Sequence, residues 1–403
     1  MPLYEGLSGI GLINEKNTTV VFDFGSAYTK AGFAGENGPR VILRSEVKCR
    51  ETGNTVPVFE TQDKEELRHR LVDFIHKLYF KHLLVNPKDR RVVVVENLLT
   101  PSNTRNILAK VLFRHYEVLS VVFAPSHLVA LMTLGINTGL VMDIGYQEVT
   151  LIPVFEGVPI LSAWQALSLG GKAIHSSLSE LLLDRGLSVG EDGKEQRLSS
   201  VMETLPEKVL EDVKVRTCFV STLERSSKLH NNKYDRSIEP PPPPPSVLYP
   251  LSGSRNLTIP GTVRELATEV LFEQDRDALS LPTIILDSLQ KCPIDTRRVL
   301  AENLVIIGGT ASMLGLRHRL LTEVRTLAAS EAFSKVVKIN SFKIHNPPAK
   351  ANYVAWLGGA ILGGTEAVAL RTLPRDQFLV NDRVPDWCDL SCNLKEERDE
   401  KSA

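Results

Sequence analysis

The sequence predicts an α/β fold built twice, as two similar halves facing each other across a cleft. Three observations predict it. An apolar, β-branched run, Thr18-Thr19-Val20-Val21-Phe22, leads into Asp23 and then Gly25-Ser26, after which alternation resumes through Tyr28, Ala31 and Phe33. That is a strand, a tight turn and a return strand. The arrangement recurs 120 residues on, where an apolar strand from Gly139 reaches Asp143 and Gly145 and a further strand covers Val149–Val154. Between and after the two hairpins, buried strands alternate with helical patterns, which makes a mainly parallel sheet with covered faces. A single Asp-x-Gly turn is ordinarily only a turn. Two copies let one carboxylate from each half hold a Mg²⁺ through water, while turn N–H groups and the Ser26 hydroxyl cradle an anion.

The elements follow in order. Residues 1–17 read as an irregular, polar-leaning leader, and the first hairpin covers roughly 18–35. Arg40 to Leu43 is a short strand ending near Ser45, and Glu46–Glu65 is a polar stretch with little periodicity. Leu67, Leu71, Phe74, Ile75, Leu78 and Tyr79 fall at three- and four-residue spacing, an amphipathic helix over about Glu65–Phe80. Val92–Glu96 is a buried parallel-type strand. Pro101 opens a helix with Ile107, Leu108, Val111 and Leu112 inward. Val118–Phe123 is a strand, and Pro125–Leu134 a helix leading to the second hairpin.

The second half repeats the scheme. Leu169-Gly-Gly-Lys172 opens a helix running to about Leu183, and Leu205–Cys218 is helical. Residues 221–245 break the order. Ser, Lys, Asn and Asp dominate, and six prolines follow from Pro240 to Pro245. Such a run is a stiff, solvated loop extending about 3.1 Å per residue, or, on a sharper reading, a ligand for a proline-binding module. Leu251–Pro260 is strand-like, Glu265–Phe272 and Leu281–Cys292 are helices, and Leu304–Ile307 is a strand leading into Gly308-Gly309-Thr310. Trp356–Leu370 is the last helix, and the charged tail Lys395–Lys401 is disordered. The divisions are residues 1–138, containing a shortened lobe over 46–86; residues 139–370, containing an insert lobe over 172–275 with the proline loop 240–245; and a C-terminal extension over 371–403.

Composition narrows the function. The chain has 403 residues, 47 basic against 48 acidic, and a net charge of −1. It has no bulk charge for nucleic acid or a membrane surface. Five cysteines, Cys49, Cys218, Cys292, Cys388 and Cys392, lack zinc-site spacing and read as free thiols in a reducing compartment. The start has no basic segment followed by an apolar core, so no signal peptide is expected. No apolar run reaches membrane-spanning length.

Four stretches carry a family resemblance. DFGSAYTKAGFAGENGPR (Asp23–Arg40) resembles the first phosphate loop of actin and the actin-related proteins, and MDIGYQEVTLIPVFEG (Met142–Gly157) resembles their second. KCPIDTRRVLAENLVIIGGT (Lys291–Thr310) resembles the stretch leading into their adenosine loop. PPAKANYVAWLGGAIL (Pro347–Leu362) resembles their closing segment. The order matches, and the resemblance spans about Thr19 to Leu362. It implies an actin-like, two-lobed duplicated fold with a nucleotide cleft, of the superfamily that includes sugar kinases and chaperone ATPases, with a reduced pointed-end lobe. It implies ATP or ADP with Mg²⁺. Asp23, Gly25, Ser26, Ala27 and Lys30 match the first turn, and Asp143 and Gly145 the second. Lys214, Gly308, Gly309, Thr310 and Lys350 match the nucleoside side, and Asp23 and Asp143 would reach the metal through water.

The departures from the family pattern matter as much. Ala27 and the pair Tyr146-Gln147 stand where the family has Gly and Asp-Gly, Val215 stands at its ribose glutamate, and Glu211 at an arginine. Ser126 and Thr150 occupy the places of the glutamine and histidine that orient the attacking water. His127, about 100° round a helix from Ser126, is no substitute. Positioning and electrostatics are nearly all of phosphoryl-transfer catalysis. The resemblance with these changes implies a nucleotide hydrolysed slowly or not at all, with no catalytic residue and no enzyme activity.

The short 46–86 segment lacks the loop that plugs into the next filament subunit. The implied role is a structural subunit capping the pointed end of an actin-related filament, of the kind in dynactin. Its partners would be the filament's actin-related subunits, adaptor subunits at that end and, indirectly, dynein and cargo adaptors, in cytoplasmic microtubule-based transport. The alternative is an ATP-hydrolysing actin-related protein that assembles dynamically or serves a chromatin-remodelling complex. Ser126, Thr150, Tyr146 and Gln147 speak against it, and there is no basic localisation run. A sugar kinase would need an Asp base, and residues 291–298 and 355–362 fit the actin branch better.

Overall fold

The same hairpin opens both units of the molecule. The computed structural model describes residues 19–50, 52–190, 194–234, 237, 239–252, 255–274, 277–335, 338–339 and 341–386. One unit comprises Met1–Asn137 with Pro347–Ala403, and the other Thr138–Asn346.

In the first unit β1 (Val20–Phe24) and β2 (Tyr28–Phe33) are antiparallel, with Asp23 opposite Lys30 and Phe24 opposite Thr29. β3 (Val41–Arg44) continues the antiparallel side. The stretch expected to lack regular structure holds a small hairpin, β4 (Glu46–Lys48) with β5 (Thr55–Pro57). Its strands are too short for any alternation to show. α1 (Lys64–Lys77) starts at Asp63, whose side chain accepts from the Glu65 and Glu66 N–H groups, and it ends on His76 and Lys77. One π-helical turn, Leu78–Leu83, continues it. β6 (Arg91–Glu96) runs parallel to β1; then come α2 (Ser102–Lys110), β7 (Ser120–Pro125), parallel to β6, and α3 (Ser126–Met132).

The second unit repeats this order. β8 (Gly139–Ile144) and β9 (Val149–Phe155) form the second hairpin, with Asp143 opposite Thr150 and Ile144 opposite Val149. β10 (Val158–Pro159) and β11 (Gln165–Leu167) both pair with β9. α4 (Gly171–Arg185) leads to β12 (Leu187–Val189) and β13 (Glu195–Arg197), and α5 is Glu207–Thr217. A further helix, α6 (Leu223–Tyr234), lies where no order was expected. It has no apolar stripe to announce it; the pair Glu224–Lys228 and long-range polar ties from Arg225 and Ser226 hold it.

β14 (Val247–Ser252) and β15 (Arg255–Ile259) complete a small sheet in the order β13-β12-β15-β14. α7 (Gly261–Leu266) starts earlier than expected and gives way to a 3₁₀ turn at Glu269–Leu271. α8 (Leu281–Lys291) and α9 (Ile294–Glu302) precede β16 (Leu304–Ile307), which runs parallel to β8. α10 (Leu316–Ala328), α11 (Glu331–Ser334) and β17 (Ile344–His345) close the unit. The two main sheets share the path β3-β2-β1-β6-β7 and β10-β9-β8-β16-β17, the first extended beyond β7 by one short strand at Leu373–Pro374. Each has two antiparallel neighbours on one side of the first strand and two parallel ones on the other.

From Pro347 the chain belongs to the first unit, not to the second half as its sequence position suggested. α12 (Val354–Gly363) buries Trp356 completely, and the indole Nε1–H donates to the Val21 carbonyl at 3.1 Å. The expected single helix through Leu370 is interrupted after Gly363-Gly364, where helix propensity is lowest. α13 (Ala367–Arg371) follows, β18 (Leu373–Pro374) pairs with β7, and α14 (Arg375–Asn381) comes last. The leader, Cys388, Cys392 and the charged tail lie outside the described residues. Among the described residues no helix is long and apolar enough to cross a membrane.

Candidate functional site

The two turns share one backbone design. The Gly25 N–H donates to the Tyr28 carbonyl at 3.2 Å, and the Gly145 N–H donates to the Glu148 carbonyl at 3.0 Å. In each, the acid sits on the strand two residues before the glycine.

The first turn is held from behind by Ser45, a residue nothing in the sequence singled out. Its hydroxyl donates to the Gly25 carbonyl at 2.6 Å and lies 2.8 Å from the buried Thr29 hydroxyl. Its N–H donates to the Ala27 carbonyl at 2.9 Å. The turn's carbonyls are therefore drawn inward. Among the described residues, the Ser26 and Ala27 N–H groups and the Ser26 hydroxyl make no hydrogen bond. Lys30 crosses the hairpin to Asp23, with Nζ 3.0 Å from Oδ2, and its ammonium stands over Gly25. Three unengaged donors and an ammonium beside a carboxylate form a donor set suited to phosphate and a hydrated cation.

The second turn is tied into its own unit. The Gly145 carbonyl accepts from the Gly171 N–H at 3.1 Å and from the Thr310 hydroxyl at 2.8 Å. The Tyr146 carbonyl accepts from the Lys172 N–H at 2.8 Å. Tyr146, read from the sequence only as a lost aspartate, donates its hydroxyl to Glu207 Oε1 at 2.5 Å. The same carboxylate meets His175 Nδ1, and His175 Nε2 lies 3.2 Å from Glu211 Oε2. Glu211 in turn pairs with Lys214 Nζ at 3.1 Å. Burial alone would raise the Glu211 carboxyl, but the contacts with His175 and Lys214 outweigh it and bring it down to about 2. For Glu207, too, burial is outweighed, here by Tyr146 and His175, and the carboxyl lies below its ordinary range.

Gly308 and Gly309 flank this turn. Gly308 has φ +99°, and a Cβ there would stand 2.3 Å from the Ile144 carbonyl and 2.5 Å from Asp143 Oδ1. Only glycine lets the loop lie against the acid. At Gly309 the space a Cβ would take is open to 4 Å.

Asp23, Gly25, Ser26, Ala27 and Lys30 are thus together in the first unit. Asp143, Gly145, Lys214, Gly308, Gly309 and Thr310 are together in the second. Lys350 lies in the first unit, exposed, at the head of the short turn 351–353. Val215 is 70% exposed. Ser126 is buried with its hydroxyl 3.1 Å from His127 Nδ1, and Thr150 is wholly buried between Asp143 and Ala166 on neighbouring strands.

The repeated sheet with its paired acidic turns defines an actin-fold protein. The sequence profile of the actin family matches residues 14–378, and the chain belongs to that family. It is similar to actin-related protein 10 of Dictyostelium discoideum, at 25% identity over 442 aligned positions that cover 93% of this chain and 90% of that protein.

Proposed function

We propose that this chain is a non-catalytic structural subunit that ends an actin-related filament at its pointed end, in dynactin, and carries adaptor subunits there in support of dynein-driven transport in the cytoplasm. The observation that carries this reading is the closed build of residues 46–86. Val47, Val58, Leu67, Leu71 and Phe74 belong to the same core as Phe22 and Val92. The connections 49–54 and 58–63 are short. Arg70 donates to the Pro57 carbonyl at 2.5 Å, and Arg50 is paired with Asp73. Folded back in this way, the segment gives a following subunit no extended loop to grip. One heterologous face is kept and its complement removed, so growth stops. Similarity to actin-related protein 10 supports the same reading.

A bound nucleotide with Mg²⁺ would supply the anion and metal that the two turns suit. Lys30 and the Ser26 and Ala27 N–H groups would hold phosphate. Asp23 and Asp143 would hold the metal's waters. Gly309, Thr310, Lys214 and Lys350 would serve the nucleoside. Ser126, engaged by His127, and Thr150, buried in the sheet, leave no side chain in those places to orient a water, so hydrolysis is not expected.

The test is seeded elongation. Actin-related filament seeds with blocked barbed ends should stop growing when the chain is added in amounts equal to the free ends. Growth at the unblocked rate overturns the reading.

A further inference from the structure

Six successive prolines have essentially one backbone available. Each ring fixes φ near about −65°, and each following proline excludes the helical region for the residue before it. The run Pro240–Pro245 is therefore a left-handed polyproline helix with about three residues per turn. Burial follows that period: Pro241 and Pro244 are half-buried, while Pro240, Pro242, Pro243 and Pro245 are exposed.

The run is pinned through its backbone carbonyls. Arg225 Nη2 donates to the Pro242 carbonyl at 2.9 Å, and Arg264 Nη1 to the Pro245 carbonyl at 2.8 Å. The Pro244 carbonyl presses so close to Gly261 that a Cβ there would stand 1.7 Å from its oxygen. Both arginines are themselves fixed. Arg225 is bidentate on the fully buried Glu265, at 2.6 and 3.0 Å, and Ser221 donates to the same carboxylate at 2.8 Å. Arg264 Nε donates to the Thr217 carbonyl at 2.8 Å. Behind them the buried Arg319 joins Glu323 at 2.8 Å, Ser226 at 3.1 Å and Glu269 at 3.3 Å.

We infer that Pro240–Pro245 is a preformed docking ridge for a protein module that reads polyproline with an aromatic-lined groove. Such a groove grips two edges of the three-edged helix. Here one edge faces down and two face out. The ordering cost a free proline segment meets on binding is already met by the arginine scaffold. The exposed Glu239 at the head of the run selects a groove with a basic rim over one with an acidic pocket. This inference is independent of filament capping.

The test uses the full chain and a synthetic peptide of residues 237–248, each titrated by calorimetry with an SH3, a WW and an EVH1 domain. The EVH1 or WW domain should bind the chain, more tightly than the peptide by about threefold or more, and binding by the acid-pocketed SH3 domain alone overturns the inference. Pro242→Ala with Pro243→Ala, at exposed positions that leave thermal unfolding unchanged, should abolish binding. Arg264→Ala should lower the chain's affinity toward the peptide's. Binding to the peptide that equals or exceeds binding to the chain, or no binding to either, overturns the inference.

Discussion

Ser45→Ala is the most direct probe of how the first turn is held. Ser45 is 1% exposed, and its hydroxyl makes two bonds, to the Gly25 carbonyl and to the Thr29 hydroxyl, which is fully buried. Its backbone bonds, to the Ala27 carbonyl and from the Val58 N–H, survive the substitution. Each lost hydrogen bond is worth about 1 kcal/mol, and a stranded buried hydroxyl costs about 1–3 kcal/mol. We expect about 2–3 kcal/mol of destabilisation, read as the urea midpoint at constant m-value. Thr29→Val removes only the shared bond and should cost about 1 kcal/mol. The double variant should cost less than the sum, because the shared bond is lost once and no hydroxyl is left stranded. A Ser45→Ala effect below about 0.5 kcal/mol, or strict additivity in the cycle, would refute the assignment of Ser45 as the turn's anchor.

Two further outcomes are expected. Among the described residues Trp356→Ala empties the largest fully buried side-chain volume and removes the indole's bond to the Val21 carbonyl, so it should cost about 3–5 kcal/mol and lower the thermal midpoint by several degrees. Glu211 sits at about 2 in the folded chain, below its ordinary 4.5, so its stabilisation is complete above about pH 5 and is lost as pH falls toward 2. With an upper limit of about 3 kcal/mol at neutral pH, Glu211→Gln should weaken the chain at pH 7 and converge with it in acid. Equal pH slopes for the two proteins between pH 5 and 3 would contradict this.

The parts of the fold legible in the sequence are those whose signal is local. β1, β6, β8 and β16 are apolar runs cut off by Asp, Glu or Gly, and α1 carries a full amphipathic stripe with Asp63 at its head. α6 was invisible because its partners, Glu265 and Glu269, lie some 40 residues away and its own surface is polar. The return of Pro347–Asn381 to the first unit was invisible because its clearest tie, Trp356 to Val21, joins the two ends of the chain. At the site, residue types pointed to the acids and glycines of both turns, and the family resemblance to Lys30 and Lys214. They could not show Ser45, or that Tyr146 reaches Glu207, 61 residues on. Read along the chain, Tyr146 is a subtraction; in the fold it is an added contact.

That asymmetry between two turns of the same backbone makes a last prediction. The first turn leaves donors unengaged at Ser26 and Ala27, so an anion would complete it. The second is completed by its own unit, through Tyr146, Glu207, His175, Glu211 and Lys214 in sequence. A ligand that binds only the native state stabilises what it touches by an amount set by its concentration over Kd, a few kcal/mol at saturation. Stripping nucleotide and metal with a chelator and a nucleotidase should therefore loosen the two turns unequally. Amide hydrogen exchange should show protection falling by tenfold or more at Ser26–Tyr28, with little change at Tyr146–Glu148. Equal loss at both turns would mean that the polar chain in the second unit does not stand in for the ligand. No loss at either would mean that the first turn's donors hold no anion, and that the actin fold here has kept the shape of its nucleotide site without its occupant.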